Sequence, residues 1–311
     1  MKEKKIAVIG LGPAGGILAA HLAASGHPVY GVDIWEEHVD ETRKKGLEIT
    51  HFVSLHAPLH GVYSHLGELR EIPLDYAILA VKTPNMPEVV AELKDFPGNF
   101  QVLVLQNGFD NEEYLADFFS RERILRAAVN YAGNMVSPGV IKMNFFAKPN
   151  QVGCICKQPG CRHGEEIARL ITAAGLETEA VADIRKFTLK KVILHAILAP
   201  VSAILGVTMA DVMEHRESRA IVEALIIECI SVAKAMGYDY VDDFFDYCVN
   251  FLLKAGRHKP SMLIDLERGN LTEIDYIGAK IVAFGDKFNI PIPVITTITR
   301  LVKTRENYFC Q

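Results

Sequence analysis

The chain has no run of basic residues. Its 33 lysines and arginines are outnumbered by 38 aspartates and glutamates, giving a formal net charge of −5. A nucleic-acid or anionic-membrane partner is not expected from that balance. No apolar segment is long enough to span a bilayer. The longest, Val192 to Val207, covers 16 residues and contains His195 and Pro200, short of the roughly 20 that a transmembrane helix needs. It reads as a buried helix. Met1-Lys2-Glu3-Lys4-Lys5 leads into a short strand rather than an apolar stretch with a cleavage site, so a cytoplasmic protein is expected. Cysteine is sparse, and Cys154, Cys156, Cys161, Cys229, Cys248 and Cys310 contain no CxxC pair. Cys154-x-Cys156-x4-Cys161 lacks the second half of a zinc motif. Reduced, small buried thiols are therefore expected, with Cys154 and Cys156 on one face of a strand. His51, His56, His60 and His65 are spaced by five, four and five residues, which fits neither a helical nor a strand metal face. No metal is expected.

Half of the 311 residues are apolar and 23% are charged, an ordinary globular composition with enough chain for two domains. The most informative stretch is Lys5-Ile6-Ala7-Val8-Ile9 running into Gly10-Leu11-Gly12-Pro13-Ala14-Gly15, followed by an apolar helical segment to about Ser25. A GxGxxG between a strand and a helix is the dinucleotide fingerprint. Gly10 makes the tight turn, Gly12 admits a pyrophosphate, Gly15 lets helix pack on strand, and the helix N-terminus faces the phosphates. A second strand, Pro28 to Asp33, ends in an acid 23 residues after Gly10, near the spacing of a ribose-binding carboxylate. A 2′-phosphate would meet like charge at Asp33, and no Arg or Lys follows until Arg43, so NAD is favoured over NADP. Asp33 also fits as a cap on the next helix.

The first half alternates strand signals (Tyr76–Val81, Gln101–Leu105) with helical ones (Pro87–Leu93, Asn111–Phe119), the mark of βαβ units on a parallel sheet. From Ala128 to about Lys157 the pattern turns β-rich around Ser137-Pro138-Gly139 and Lys148-Pro149-Asn150, consistent with hairpins appended to the sheet. A helix at Gly164–Ala174 and a short strand at Glu177–Val181 follow. Beyond Asp183 only helical segments remain: Ile184–Val207, Glu217–Met236, Asp242–Ala255 and Thr272–Phe288. The expected fold is α/β, a Rossmann-type doubly wound sheet (residues 1–182) followed by an all-helical C-terminal domain (183–311). A cleft between such domains is where substrate would meet cofactor.

Lys82, in Val81-Lys82-Thr83-Pro84, and Asn107, in Gln106-Asn107-Gly108, fall at strand ends, the ligand-binding edge of an open α/β sheet. Both also fit ordinary turn chemistry. In the helical segment Phe187 to Pro200, Lys191, His195 and Ala199 recur every four residues on one face. They fit either a snorkelling Lys with a core His or a partly desolvated Lys that protonates a carbonyl oxygen.

Taken with Gly10-x-Gly12-x-x-Gly15, Val81-Lys82-Thr83, Gln106-Asn107-Gly108, the Lys191 helix ending in Ala199-Pro200-Val201-Ser202-Ala203, and Ser261-Met262-Leu263-x-Asp265 with Thr272-Glu273-Ile274-Asp275, the chain resembles the ketopantoate reductase family over nearly its whole length. The resemblance implies an NAD(P)-dependent reductase of a 2-oxo acid, with ketopantoate the default substrate and a homodimer as candidate assembly. Lys191 would be the general acid. Ser261 would hold the substrate carboxylate, Glu273 would contact substrate hydroxyls, and Lys82 and Asn107 would lie near nicotinamide and substrate. Asn270-Leu271-Thr272-Glu273 also fits a capping-box variant. The chain departs from the family at His195, Ala199 and His258, where asparagine is usual, and at Asp33, where many members carry a basic residue and prefer NADPH. His195 and His258 are thus substrate-site candidates for a 2-oxo acid with a different far end, a more acidic one if imidazolium forms. The same chemistry on an opine-like substrate, or a non-catalytic dinucleotide-binding regulator, are the competing readings.

Overall fold

In the computed structural model, residues 3–156, 161–240, 243–254, 256–257 and 259–310 are described. The chain divides into two compact units. One comprises residues up to Gln106 and Asp110–Phe187; the other comprises Asn107–Phe109 and residues from Thr188 onward.

The first unit runs β1 (Ile6–Ile9), α1 (Pro13–Ala24), β2 (Val29–Val32), α2 (Glu36–Lys45), β3 (Leu47–His51), β4 (Leu55–Ala57), β5 (Gly61–Tyr63), β6 (Tyr76–Leu79), α3 (Met86–Leu93), β7 (Gln101–Val104), α4 (Asn111–Leu115), β8 (Ile124–Ala128), β9 (Tyr131–Ser137), β10 (Val140–Phe146), β11 (Asn150–Cys154), α5 (Arg162–Ala173) and β12 (Thr178–Ala180). Its main sheet has the order β12-β11-β8-β7-β6-β1-β2-β5. All neighbours from β5 to β8 are parallel, whereas β11 runs antiparallel to β8. Strands β1 and β6 are buried along their whole length, as a sheet covered on both faces requires. The chain moves from β1 to β2 on one side and returns to β6 on the other. That reversal is the switch point at which open α/β sheets bind ligands.

The hairpin expected after Ala128 forms as β9 and β10, but it does not extend the main sheet. It joins β3 and β4 in a separate sheet ordered β4-β3-β10-β9, with Val140 opposite Glu48 in a parallel pair. Helix α1 packs against both sheets. This explains why it is apolar on every side and buried from Gly15 to Leu22.

The cysteine expectation is corrected. Cys154 ends β11 and Cys161 stands at the N-cap of α5, and their two sulfurs form a disulfide. Cys156 lies in the turn beyond β11, not on the strand face.

The second unit is helical: α6 (Ile184–Leu205, whose first turn belongs to the first unit), α7 (Met209–Glu214), α8 (Arg216–Ala235), α9 (Phe244–Leu253), α10 (Ser261–Glu267), α11 (Gly278–Phe288) and α12 (Pro293–Phe309). Its core draws on most of these, including Ile193, Ile197, Leu225, Ile226, Leu263 and Val302. The apolar helix is longer than the 16-residue run from Val192 to Val207 suggests: α6 has 22 residues and by length and composition qualifies as a membrane span, yet 72% of its most apolar stretch is buried inside the protein, the pattern of the expected core helix. The single helix expected over Thr272–Phe288 is instead a 3-10 turn at Ile274–Tyr276 followed by α11, broken at Ile277 with φ −115° and ψ −82°.

Candidate active site

The glycine loop connects β1 to α1 at the switch point. Gly10 has φ +96°, and a Cβ there would stand 2.7 Å from the Val81 amide nitrogen; only glycine fits so close to the β6 end. A Cβ on Gly15 would strike the Gly10 carbonyl, whereas one on Gly12 would meet nothing within 4 Å. The loop thus has closed packing at its first and third glycines and open space at the second, the arrangement a pyrophosphate needs. Pro13 occupies the first helical position, where its missing N–H costs nothing. Ala14 follows at N2, and its carbonyl accepts the Tyr131 hydroxyl at 3.0 Å.

Asp33 does two local jobs. Its Oδ2 accepts the Leu11 N–H at 2.7 Å, and its Oδ1 accepts the Trp35 N–H at 3.0 Å. The cap-like reading therefore holds at Trp35, while the other oxygen ties the end of β2 to the glycine loop. Each oxygen retains lone-pair capacity for a ribose hydroxyl. Arg43, the next downstream arginine, is committed to the Val62 carbonyl (2.9 Å) and Asp40 (3.0 Å).

One loop partner escaped the sequence reading. His38 is 1% exposed; its Nδ1 accepts the Gly139 N–H at 2.8 Å, which leaves Nε2–H to donate to the Leu11 carbonyl at 3.1 Å. Both backbone groups of Leu11 are thereby fixed. No sequence signal marks His38, because Gly139 is 101 residues away. Lys82 is exposed just after β6, beside buried Thr83, whose hydroxyl accepts from Asn111 at 3.4 Å.

In the helical unit, Asn107 Nδ2 donates to Glu273 Oε2 at 3.1 Å. Phe109 N–H donates to the Tyr276 carbonyl at 3.2 Å, and the Phe109 ring meets Phe284 edge-on. The segment carrying Glu273 is held from behind: Thr272 N–H donates to Glu306 at 2.6 Å, and Ile274 N–H to the Thr272 hydroxyl at 3.1 Å. The capping box on Asn270 and Glu273 does not form. Glu273 sits at the N-cap of the 3-10 turn with no side-chain cap bond, and its carboxylate turns to Asn107.

On α6, Lys190 and Lys191 have different surroundings. The Lys190 ammonium lies 3.7 Å from the Tyr247 ring centroid and 6.0 Å from that of Phe244, a cation–π role on the surface of α9. Lys191 lies one turn before His195, close enough for its charge to act on the imidazole. Burial first, and the Lys191 charge second, push the His195 pKa down to about 3. The shift runs against the imidazolium on which a more acidic substrate would depend. Ala199 is 7% exposed within the helical core. Ser261 opens α10, exposed and following Pro260. His258 lies outside the described residues.

A doubly wound sheet with this glycine loop, followed by a helical unit with an amide–carboxylate pair and a lysine beside a neutral imidazole, defines an NAD(P)-dependent oxidoreductase. The chain belongs to the ketopantoate reductase family: residues 6–155 match "Ketopantoate reductase PanE/ApbA" and residues 183–306 match "Ketopantoate reductase PanE/ApbA C terminal". It is 25% identical over 315 residues to a 2-dehydropantoate 2-reductase of Aquifex aeolicus, covering 97% of each chain. The crystal structure of 2-dehydropantoate 2-reductase from Geobacter metallireducens aligns with TM-score 0.88 at 26% identity, over 96% of this chain and 99% of that one. A D-mandelate dehydrogenase solved with NADH and anilino(oxo)acetate shares the fold at TM-score 0.88 and 24% identity, over 98% of this chain and 99% of that one.

Proposed function

We propose that the protein reduces a 2-oxo acid to the 2-hydroxy acid, ketopantoate to pantoate being the family's default, with NADH as the preferred reductant. The observation that carries this reading is the convergence of Asn107 and Glu273, 166 residues apart in sequence, on a 3.1 Å hydrogen bond. The strand-end amide and the carboxylate of the Ser-Met-x-x-Asp…Glu-Ile-Asp block are thus one polar unit, in the family whose motifs they complete.

The nicotinamide, when bound, supplies hydride to the substrate's C2. Lys191 then donates an Nζ proton to the developing alkoxide, which the neutral His195 one turn away does not compete to protonate. Glu273, oriented by Asn107, accepts hydrogen bonds from substrate hydroxyls, and the Ser261 hydroxyl donates to the substrate carboxylate. Gly10 to Gly15 hold the pyrophosphate, and Asp33 accepts from the adenosine ribose. The absence of a basic residue between Asp33 and Arg43, together with the commitment of Arg43 to Val62 and Asp40, supports NADH over NADPH. His195 in place of asparagine presents a larger, neutral, single-donor group. It favours a substrate whose far end differs from the hydroxymethyl group of ketopantoate without adding negative charge.

A panel of 2-oxo acids assayed with NADH and NADPH in parallel tests the reading. Turnover of at least one branched or hydroxylated 2-oxo monoacid is expected, at higher kcat/KM with NADH. No turnover of any member with either cofactor, despite measurable NADH binding, would favour the non-catalytic regulator.

A further inference from the structure

The end of β11 and the start of α5 gather three sulfurs that the site above does not use. Cys154 is 5% exposed, whereas Cys156 in the following turn and Cys161 at the cap of α5 are each half-buried. The three Sγ atoms lie within 4.8 Å of one another. Cys154 and Cys161 are joined, and Cys156 is the free member of the three. The Cys154 sulfur rests against the first turn of α5, 3.7 Å from where a Gly164 side chain would begin. The Arg121 guanidinium donates to the Ile155 carbonyl at 3.4 Å and interacts electrostatically with Cys156. The cluster thus sits where the Arg121 side chain meets the N-terminus of a 12-residue helix. A thiol this close to a disulfide is positioned for exchange.

We propose that Cys154, Cys156 and Cys161 form a reversible redox site that exchanges with low-molecular-weight thiols and disulfides, with Cys156 as the entry thiol. In the oxidising direction the Cys156 thiolate attacks a disulfide RSSR, forming Cys156–S–S–R and releasing RS⁻, which takes up a proton. The Cys161 thiolate attacks the Cys156 sulfur of that mixed disulfide, the second RS⁻ leaves, and Cys156–Cys161 forms. The Cys154 thiolate then attacks Cys161, the Cys156–Cys161 bond breaks with its electron pair going to Cys156, and the Cys154–Cys161 disulfide remains. Two electrons pass from the protein sulfurs to RSSR, which leaves as 2 RSH. Reduction runs the same path backwards: exchange brings the disulfide out from buried Cys154 to the half-buried pair, where an incoming thiol reaches it.

The test incubates fully reduced protein in mixtures of reduced and oxidised glutathione, alkylates it in denaturant, and maps free thiols by mass spectrometry. Loss of two thiols per chain is expected, at Cys154 and Cys161, with Cys229 and Cys248 untouched. Cys156→Ser should slow that oxidation at least tenfold while reaching the same final disulfide. The Cys154→Ser/Cys161→Ser double variant should retain one glutathione on Cys156. Circular dichroism of each variant confirms that it folds. Oxidation of Cys156→Ser at the wild-type rate, or no thiol loss across the range, would overturn the proposal. So would stoichiometric zinc binding by the reduced protein that is lost in every single variant and blocks oxidation; the cluster would then be a metal site.

Discussion

Replacing Asp33 by alanine perturbs the cofactor-reading acid and a structural joint together, and the structure separates the two effects. The carboxylate accepts Leu11 N–H at 2.7 Å and Trp35 N–H at 3.0 Å. Hydrogen bonds to a charged group contribute about 1.5–3 kcal/mol each, but Asp33 is half-buried and water can replace part of that. A stability loss of ~1–2 kcal/mol in urea melts is therefore expected. If a ribose hydroxyl also donates to the carboxylate, its loss lowers kcat/KM with NADH by about 1.5–3 kcal/mol, roughly ten- to a hundredfold. With NADPH no such loss applies, because the substitution removes a like charge, and the NADH/NADPH ratio collapses. Asp33→Asn is not a gentle version of this change. Its carbonyl oxygen serves one of the two backbone N–H groups and its NH₂ must face the other, so it should be no more stable than the alanine variant. Steady-state kinetics with both cofactors, alongside the melts, read all three effects. A wild-type protein that prefers NADPH, or an alanine variant whose cofactor ratio stays within about twofold of wild type, would refute the assignment.

His38→Ala removes both hydrogen bonds that brace Leu11 and Gly139, at about 1 kcal/mol each. The NADH Kd measured by fluorescence titration should rise about five- to thirtyfold with kcat nearly unchanged, and an unaltered Kd would show that the loop holds itself. His195 gives a pH prediction. Its folded pKa is lowered to about 3 from an unfolded value near 6.5. Between those values the unfolded chain binds a proton that the folded one does not, so stability rises with pH across that window and the His195 contribution is fully present above it. Urea melts at pH 4.5 and 7.5 should therefore differ less in His195→Asn than in wild type, and an unchanged difference would mean that His195 titrates normally in the fold. The same neutrality predicts no advantage for 2-oxo diacids over monoacids of equal length in kcat/KM.

Elements with strong local signatures were legible from the sequence. The strand–glycine–helix unit, the buried runs of β6 and β7, and α8 declare themselves through continuous apolarity or 3.6-residue periodicity. Strands β3 to β5 do not. Two are three residues long, too short for any period, and β3 exists because Val140 and its neighbours pair with it from about ninety residues away. The hairpin was foreseen and its sheet was not, for the same reason. Over Thr272–Phe288 the apolar spacing continues through Ile277, but Thr272 and Glu273 are drawn to Glu306 and Asn107, contacts that outcompete the helix. At the site, Gly10 to Gly15, Asp33 and Lys191 could be singled out because spacing and neighbours mark them. The neutrality of His195 could not, since it depends on how much protein surrounds the ring. The Cys154–Cys161 bond also went unforeseen, because CxCx4C spacing alone does not say whether the end of β11 and the start of α5 bring their sulfurs together.

The central claim is that Lys191 supplies the proton, and the kcat of Lys191→Ala against its best 2-oxo acid tests it most directly. A fall of about 10²–10⁴ is expected, with the NADH Kd unchanged. Lys190→Ala, which loses the cation–π contacts over the Tyr247 and Phe244 rings, should stay within a few-fold of wild type. A Lys191→Ala enzyme that also stays within a few-fold would make Lys191 a structural lysine and contradict the account.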